Sequence, residues 1–210
     1  MRYYFNLKKI ICLLVKRDIY GIIYYINKNM GNNNMKIYLA RHGQTQWNVD
    51  NKITGVTDIP LTQEGIEQAK QLAEVAKDYQ IDVIIASPLM RARDTAQYVA
   101  DVKNLPVHID ERLKEQNFGT FEGTDSRSEA FIKHKKDIAV RFPNGESAVQ
   151  VMHRVYSLID EVKEKYAGKN VLFVCHGGIC RAARTYFVDM TGDEYSDYSP
   201  KNASITEYEL

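Results

Sequence analysis

Apolar residues recur along the chain in two patterns, as short continuous runs and as stripes with helical spacing. The runs are four residues long and are typical of buried strands; they cover 37–40, 83–86 and 171–174. Residues 106–109, which His108 interrupts, are a further short strand and the third of the four along the chain. Between the runs, apolar side chains return every three or four residues, which is typical of helices that bury one face. The clearest stripes are Ile66, Ala69, Leu72, Ala73 and Ala76, and then Val151, Val155, Leu158, Ile159 and Val162. Strands and helices alternate, so the pattern predicts a domain of the α/β class.

Boundary residues support this division into elements. Thr62 is a good N-cap for the helix that carries the first stripe, and Gly168 ends the helix that carries the second. Ser87-Pro88 closes the second strand and is expected to open the next helix, with proline in its first turn. The segment 203–208 is expected to add a strand at one edge of the sheet.

Charged and imidazole side chains follow the strands where each apolar run stops. Arg41 and His42 come directly after the first run and His176 follows the fourth, each histidine standing before a glycine that lets the backbone turn. Arg91 lies in the first turn of a helix, where a cation is unfavourable with the helix dipole unless an anion binds there. Glu115 follows the third run. Because ligands bind at the carboxyl ends of strands in open α/β sheets, these side chains predict an anion site on one rim.

Two sequence motifs resemble those of a known superfamily. Leu39-x-Arg41-His42-Gly43-x-Thr45-x-x-Asn48 and Ser87-Pro88-Leu89-x-Arg91-x-x-x-Thr95-Ala96 are similar to motifs of the histidine phosphatase (phosphoglycerate mutase-like) superfamily. The resemblance covers residues 35 to about 206. It implies a three-layer α/β/α domain with a mostly parallel central sheet. It also implies a phosphatase in which the histidine after the first strand carries the phosphoryl group as phosphohistidine.

The resemblance further implies roles for individual residues. The catalytic set is His42, Glu115, Arg41, Arg91 and His176. The substrate-binding set is Arg41, Asn48, Thr54, Gly55, Arg91 and Gly177. Thr54 and Gly55 match a substrate-side position of the mutases, although a simple turn explains them equally well. Glu111 and Glu122 are alternatives to Glu115 as the acid, but the first lies outside the family pattern and the second belongs to a Phe-Glu-Gly turn.

The predicted residues can support phosphoryl transfer without a metal ion or another cofactor. Arg41, Arg91, a cationic His176, Asn48 and N–H groups near Gly177 can stabilise the charge on the phosphoryl oxygens. The attacking imidazole must be neutral, so its other ring nitrogen should donate to a backbone carbonyl. The carboxylic acid is expected to protonate the leaving oxygen and then to activate water.

Composition and charge limit the kinds of molecule that this protein is expected to bind. Of the 210 residues, 44% are hydrophobic and 26% are charged, and the formal net charge of +1 does not favour nucleic acid or acidic lipid as a partner. Cys12, Cys175 and Cys180 show neither a disulfide framework nor zinc spacing, which fits a reducing, cytoplasmic location. The expected partner is a small phosphomonoester, and a homodimer is left open.

Residues 1–34 differ in composition from the rest of the chain. They hold six basic residues against one acid, Asp18, for a net charge of +5, which leaves −4 for the remainder. Their apolar run at 10–15 is too short to span a bilayer, which needs ~20 residues. We expect a dispensable extension without membrane contact, followed by a phosphatase domain at 35–210. A basic, aromatic anchor at a membrane surface is the alternative.

Three other functions stay open at the level of sequence. Cys175 and Arg181 satisfy the Cys-x5-Arg spacing of cysteine-dependent phosphatases. A cofactor-dependent phosphoglycerate mutase is the second, although the segment 124–142 is short for the mutase insertion and Gln116-Asn117-Phe118 replaces an Arg-containing string. A phosphopeptide- or nucleotide-binding module without turnover is the third. The basic segment 124–142 is expected to be a solvated helix or a lid that meets the substrate.

Overall fold

The computed structural model describes residues 35–210. Residues 1–34 lie outside the described part, and the expectations of a dispensable extension and of an alternative membrane anchor concern only those residues. Within 35–210, no helix is both long enough and apolar enough to cross a membrane.

Five strands form one sheet within the described residues. They are β1 (Lys36–Arg41), β2 (Val83–Ala86), β3 (Val107–Ile109), β4 (Val171–Cys175) and β5 (Ile205–Glu209). Their order across the sheet is β3-β2-β4-β1-β5. The first four are parallel, and β5 pairs antiparallel with β1 at one edge. The predictions of a mostly parallel sheet and of an edge strand near the end of the chain are confirmed.

Seven helices connect the strands of residues 35–210. They are α1 (Gln46–Val49), α2 (Gln63–Ala76), α3 (Met90–Lys103), α4 (Glu129–Lys136), α5 (Ala148–Lys165), α6 (Gly177–Phe187) and α7 (Gly192–Asp197). Two 3-10 turns, at Glu111–Leu113 and Gly119–Phe121, lie between β3 and α4.

The start of α3 differs from the prediction. The helix begins at Met90 rather than at Ser87-Pro88, and its N-cap, Leu89, has extended backbone and makes no side-chain capping bond. The cap comes instead from a distant loop, where an Asp58 carboxylate oxygen accepts the N–H of Met90 at 2.9 Å. A carboxylate there also suits the positive end of the helix dipole. A tertiary contact, which local sequence does not reveal, therefore determines this boundary.

The sheet is buried on both faces because alternate residues of its strands pack into different clusters. On one face, Ile37 and Phe173 pack with the inner side of α5, including Leu158. On the other face, Leu172 packs with α2 and α3, including Val99. Fully burying a side chain of this size contributes about 1.5–3 kcal/mol. The predicted three-layer α/β/α arrangement is confirmed.

A third cluster of aromatic residues anchors the segment 124–142. Phe131 of α4 packs edge-on against Phe118 with ring centroids 5.4 Å apart, and Phe142 packs against the same ring at 5.0 Å. Ile53 completes the cluster. Because Ile53 follows β1 and Phe118 follows β3, the cluster ties α4 to loops from two strand ends. One face of α4 is therefore fixed by apolar packing, so the helix is not surrounded by solvent.

The packing of α5 against the sheet predicts a stability effect. We expect Leu158→Ala, at a side chain only 1% exposed, to lower the free energy of unfolding by about 2–5 kcal/mol, because it leaves a cavity between helix and sheet. Urea unfolding followed by circular dichroism measures this. Val149→Ala is the control on the same helix; its side chain is exposed, and its cost should stay within about 0.5 kcal/mol. Equal costs for the two variants would contradict the assignment of the core.

Candidate active site

The register of β1 against β4 brings the two predicted histidines together. Arg41, the last residue of β1, lies opposite Cys175, the last residue of β4. The N–H of His42 donates to the Cys175 carbonyl at 3.0 Å. The next residue after each strand is a histidine, and the ring centroids of His42 and His176 are 5.1 Å apart. Two residues that are distant in sequence thus become neighbours through parallel strand pairing alone.

The His42 ring has one nitrogen committed to the backbone. Its Nδ1 lies 2.6 Å from the carbonyl oxygen of Gly43. Because a carbonyl only accepts, Nδ1 carries the proton and Nε2 keeps its lone pair. Burial lowers the pKa of His42 well below its usual value, and the charges of Arg91 and Arg41 lower it further. This geometry and the direction of the pKa agree with the expected neutral imidazole, whose second nitrogen donates to a backbone carbonyl.

Arg91 is buried beside this imidazole and is held by a loop. Its side chain is 1% exposed, and its Nε donates to Nε2 of His42 at 3.3 Å. The two terminal nitrogens donate to the carbonyls of Thr57 and Gly55 at 2.9 and 2.7 Å. These bonds offset part of the cost of burying a cation and fix the plane of the guanidinium.

The loop that holds Arg91 is itself organised by Glu122. The Glu122 carboxylate accepts the N–H groups of Val56 and Thr57, both at 2.9 Å, and the Thr57 hydroxyl. Gly55 has a φ of +53°, and a Cβ there would overlap the Glu122 side chain, so the position requires glycine. Glu122 is thus structural, as its turn suggested. The Glu111 side chain is 75% exposed, which leaves Glu115 as the buried carboxyl of the three.

Glu115 links the loop after β3 to the start of α6. One carboxylate oxygen accepts the N–H of Gln116 at 2.8 Å, and the other accepts the N–H of Gly178 at 3.0 Å. A Cβ at Gly178 would lie 2.4 Å from the carboxylate, so glycine is needed for this close approach. Glu115 therefore stands at the N-terminus of the helix that follows His176.

His176 differs from the prediction in its charge. It is fully buried, and burial lowers the pKa of its ring well below the usual value, with Arg91, His42 and Arg41 lowering it further. Burial and the neighbouring cations therefore disfavour the cationic ring predicted for His176. The strand-end sequence indicated a histidine but not the arginines that surround it in space.

Two buried side-chain nitrogens at the site have no hydrogen-bond partner among the described residues. They are Nε of Arg41 and Nδ1 of His176. Another nitrogen of each side chain does have a partner. A terminal nitrogen of Arg41 donates to the Pro200 carbonyl at 2.6 Å, and Nε2 of His176 lies 2.7 Å from the Ser87 hydroxyl. Buried polar atoms without partners are rare in folded proteins and call for an explanation.

A cleft of about 390 Å³ opens at this rim. All of the predicted residues except His42, Arg91 and His176 line it: Arg41, Asn48, Thr54, Gly55, Glu115 and Gly177. The remaining three are buried, and each is bonded to or adjacent in sequence to a lining residue. The structure therefore brings the whole predicted set to one place.

Several lining residues were not identified from the sequence. Asn202 donates to the His42 carbonyl at 3.0 Å and to the Asn48 side-chain oxygen at 3.2 Å. Lys135 of α4 and Arg181 of α6 also line the cleft. Burial, and after it the charge of Arg181, lowers the pKa of Lys135 to about 8. Asn202 lies in an irregular loop that carried no signal. The basic composition of 124–142 did point to α4, but not to one lysine.

The family model for the histidine phosphatase superfamily (branch 1) matches residues 37–210. The chain belongs to this superfamily. The predicted class, an enzyme of the histidine phosphatase type, is confirmed by this match together with the phosphatases among the relatives and solved structures that follow.

Named relatives in the superfamily include both phosphatases and mutases. The chain is 35% identical to the uncharacterized phosphatase PhoE of Bacillus subtilis over 149 residues, which is 71% of this chain and 75% of the relative. It is 37% identical to the probable phosphoglycerate mutase GpmB of Escherichia fergusonii over 150 residues, 68% of this chain and 70% of the relative.

Solved structures with the same fold include two metabolite phosphatases. A mycobacterial glucosyl-3-phosphoglycerate phosphatase matches with a TM-score of 0.74 and 28% identity, over 82% of this chain and 89% of the other. A phosphoserine phosphatase of Entamoeba histolytica, solved with phosphoserine, matches with a TM-score of 0.73 and 31% identity, over 82% and 89% of the two chains.

The geometry of this histidine phosphatase argues against the Cys-x5-Arg alternative. Cys175 is fully buried in the core, with its Sγ 3.6 Å from Sγ of Cys180. Burial raises the pKa of the Cys175 thiol well above its usual value. A nucleophilic cysteine needs the opposite shift, toward the thiolate. The thiol packs as a small apolar side chain, and Arg181 alone of the pair reaches the cleft.

The burial of this thiol predicts that it is dispensable for turnover. We expect Cys175→Ala to keep kcat/KM for a phosphomonoester within about threefold of the unsubstituted enzyme, because no reacting atom contacts the sulfur. Phosphate release measures this, with circular dichroism as a check on folding. A well-folded variant that had lost about 100-fold or more in kcat/KM would instead assign the chemistry to cysteine.

Proposed function

We propose that this enzyme hydrolyses small phosphomonoesters through a phosphohistidine at Nε2 of His42, without a metal ion. The neutral His42 ring carries the proposal. Its Nδ1 is committed to the Gly43 carbonyl, so Nε2 carries the lone pair. That lone pair accepts the Nε–H of the buried Arg91 guanidinium at 3.3 Å, and the attack on phosphorus replaces this hydrogen bond.

The phosphoryl group is proposed to bind where the two unpartnered donors lie. Nε of Arg41 and Nδ1–H of a neutral His176 would donate to phosphoryl oxygens, while the Ser87 hydroxyl donates to Nε2 of His176 and so fixes its tautomer. Arg91 adds a positive charge next to the attacking nitrogen. Hydrogen bonds within the protein orient these groups before substrate arrives, so they would stabilise charge in the transition state with little reorganisation.

In the first step, Nε2 of His42 forms a bond to phosphorus as the ester P–O bond breaks. Glu115 in its acid form gives its proton to the leaving oxygen. In the second step, the Glu115 carboxylate takes a proton from water, whose oxygen attacks phosphorus and releases His42 and inorganic phosphate. Each proton transfer by a positioned group is worth roughly 10²–10⁴-fold in rate.

The positive charge needed for this chemistry comes from side chains. The positive charges of Arg91 and Arg41 already lower the pKa of the His42 ring. Among the described residues, no group of three His, Cys, Asp or Glu side chains converges as a metal site would require. This distribution of charge supports metal independence.

The substrate is proposed to carry a second anionic group, such as a carboxylate. Lys135 and Arg181 line the same cleft as Glu115, and Arg181 is the charge that acts most strongly on the Lys135 ammonium. Two cations that repel each other beside a cleft favour an anion between them. Phosphoserine, the molecule bound by one structural neighbour, carries both a phosphate and a carboxylate.

Nucleic acid is not an expected partner, and the cytoplasmic location and the homodimer stay predictions.

A mutase is the second candidate because a relative of that description is 37% identical. The residues after Glu115 favour hydrolysis. The Gln116 amide donates to the Glu146 carbonyl at 3.1 Å, and the Asn117 side chain accepts the N–H of Gly119 at 2.8 Å, so both are occupied within the protein. Incubation with 3-phosphoglycerate and a trace of 2,3-bisphosphoglycerate distinguishes the two, since a mutase isomerises without releasing phosphate.

The nucleophile assignment predicts a specific loss. His42→Ala should lower kcat by on the order of 10⁴-fold or more, because no other group replaces the attacking nitrogen. Enzyme quenched during turnover of a labelled phosphomonoester should carry acid-labile, base-stable phosphate at position 42. Glu111→Gln is the control, since its exposed carboxyl should not matter.

Turnover and phosphate labelling also distinguish a metal-dependent enzyme, a different phosphorylated residue and a binding module without turnover. Activity should persist in EDTA, and a loss that only a divalent cation restores would contradict metal independence. Label at any other residue would contradict the assignment of His42. If no phosphomonoester were turned over and no phosphohistidine formed, a binding module without turnover would be favoured.

The second-anion subsite predicts a selective effect on KM. Lys135→Gln should raise KM about tenfold for a phosphomonoester with a carboxylate, and leave an uncharged alkyl phosphate nearly unchanged. Because the pKa of Lys135 is about 8, the preference for the carboxylated substrate should weaken as pH rises through that value. Lys136→Gln is the matched control, because the Lys136 ammonium pairs with Asp193 at 2.9 Å. Equal KM changes for both substrates would contradict the subsite.

A further inference from the structure

Glu115 lies on a loop that has little regular structure of its own. The loop continues from the 3-10 turn at Glu111–Leu113, and residues 114–118 belong to neither a helix nor a strand. A general acid must be held within about 0.5 Å of its working position. The two hydrogen bonds to the carboxylate come from Gln116 and Gly178, and they hold the carboxylate but not the path of the backbone that carries it.

Arg154 of α5 binds the backbone of this loop. One terminal nitrogen donates to the carbonyls of Arg112 and Lys114 at 2.6 and 2.7 Å, and the other donates to the Glu115 carbonyl at 3.2 Å. The planar guanidinium thereby connects three carbonyls within four residues, which a lysine ammonium does not reproduce in the same geometry. The Arg154 side chain is only 18% exposed, so water competes weakly for these bonds.

Glu146 completes the arrangement from just before α5. Its two carboxylate oxygens accept Nε and a terminal nitrogen of Arg154, both at 3.1 Å, in a bidentate pair. One of these oxygens also accepts the N–H of Asn117 at 2.9 Å, and the Glu146 N–H donates to the Asn117 carbonyl at 2.8 Å. The loop is therefore bonded on both sides of Glu115.

The pair does not belong to the substrate cleft. Glu146 and Arg154 line a second cavity of about 420 Å³, and Glu115 lines both that cavity and the cleft. Their contact with Glu115 is to its backbone carbonyl and not to its carboxylate.

We infer that the Glu146–Arg154 pair positions the general acid–base Glu115, so that loss of the pair impairs proton transfer more than phosphate binding or attack by His42. This inference rests on the proposed function. The pair is a positioning device, since neither member touches a reacting atom. Its loss should let the loop backbone shift, so that the Glu115 carboxyl no longer faces the leaving oxygen or the attacking water.

Leaving groups of different basicity test this role. An alkyl phosphate releases a strongly basic alkoxide and needs the acid, whereas p-nitrophenyl phosphate releases a stable phenolate and does not. Arg154→Lys should lower kcat/KM for the alkyl ester by about 10–100-fold and leave kcat/KM for the aryl ester within about threefold. Because the water step needs the same carboxylate as a base, phosphohistidine should accumulate during aryl turnover and appear as a burst of phenolate.

A double-substitution cycle measures whether the pair acts through Glu115. In a Glu115→Gln background, adding Arg154→Lys should cost little further alkyl activity, because the group that is positioned has already gone. Arg112→Lys is the matched control; that guanidinium pairs with Asp110 and Glu161 at the edge of the same loop and should not change the aryl-to-alkyl ratio.

Equal losses for aryl and alkyl esters, or losses that add fully to those of Glu115→Gln, would overturn the inference. If Arg154→Lys fails to fold by urea unfolding, Glu146→Gln tests the same pattern, since it weakens the pair while keeping its shape. Failure of the proposed function appears elsewhere, as turnover that survives His42→Ala. If the pair has no positioning role, phosphohistidine still forms, but the variant loses the same activity on aryl and alkyl esters.

Discussion

β1 and β4 pair in parallel with Arg41 opposite Cys175, and this register determines where both imidazoles lie. A shift of one residue would turn each strand's side chains to the opposite face of the sheet. Both faces are closely packed, against α5 and α6 on one side and α2 and α3 on the other, so such a shift would disrupt two cores at once. The hydrophobic core thereby holds the geometry of a polar site. His42 and His176 reach contact distance because the strands below them cannot slide.

The site concentrates cations in a buried place, which is costly unless their charges are balanced. The fold meets this cost largely with backbone carbonyls. Those of Thr57 and Gly55 accept from Arg91, and that of Pro200 accepts from Arg41. Dipoles of this kind orient the guanidinium groups without neutralising them. The Asp58 carboxylate, 4.0 Å from a terminal nitrogen of Arg91, offsets part of the charge, and positive potential remains for an anion. Burial, together with this potential, lowers the pKa of both imidazoles and so favours their neutral forms. Nucleophilicity and anion attraction thus have a common electrostatic origin.

Groups at the rim depend on a further layer of residues that are distant in sequence. Glu122 shapes the loop that holds Arg91, and Arg154 holds the backbone of the loop that carries Glu115. The aromatic cluster around Phe118 joins this loop to α4, which brings Lys135 to the cleft. Loops without regular secondary structure are therefore held by side-chain hydrogen bonds and packing. This arrangement places several charged groups at one rim.

The sequence alone determined the strands, the main helices and the residues at the strand ends, because hydrophobic periodicity and turn residues act over short segments. Motif resemblance then indicated His42, Arg91 and Glu115. Only the tertiary structure decided the partners of these residues: Asp58 starts α3, and Asn202 holds the His42 loop. It also decided the surroundings of His176, which lower the pKa of its ring. A pKa depends on burial and on charges that folding brings near, and neither is encoded in neighbouring residues.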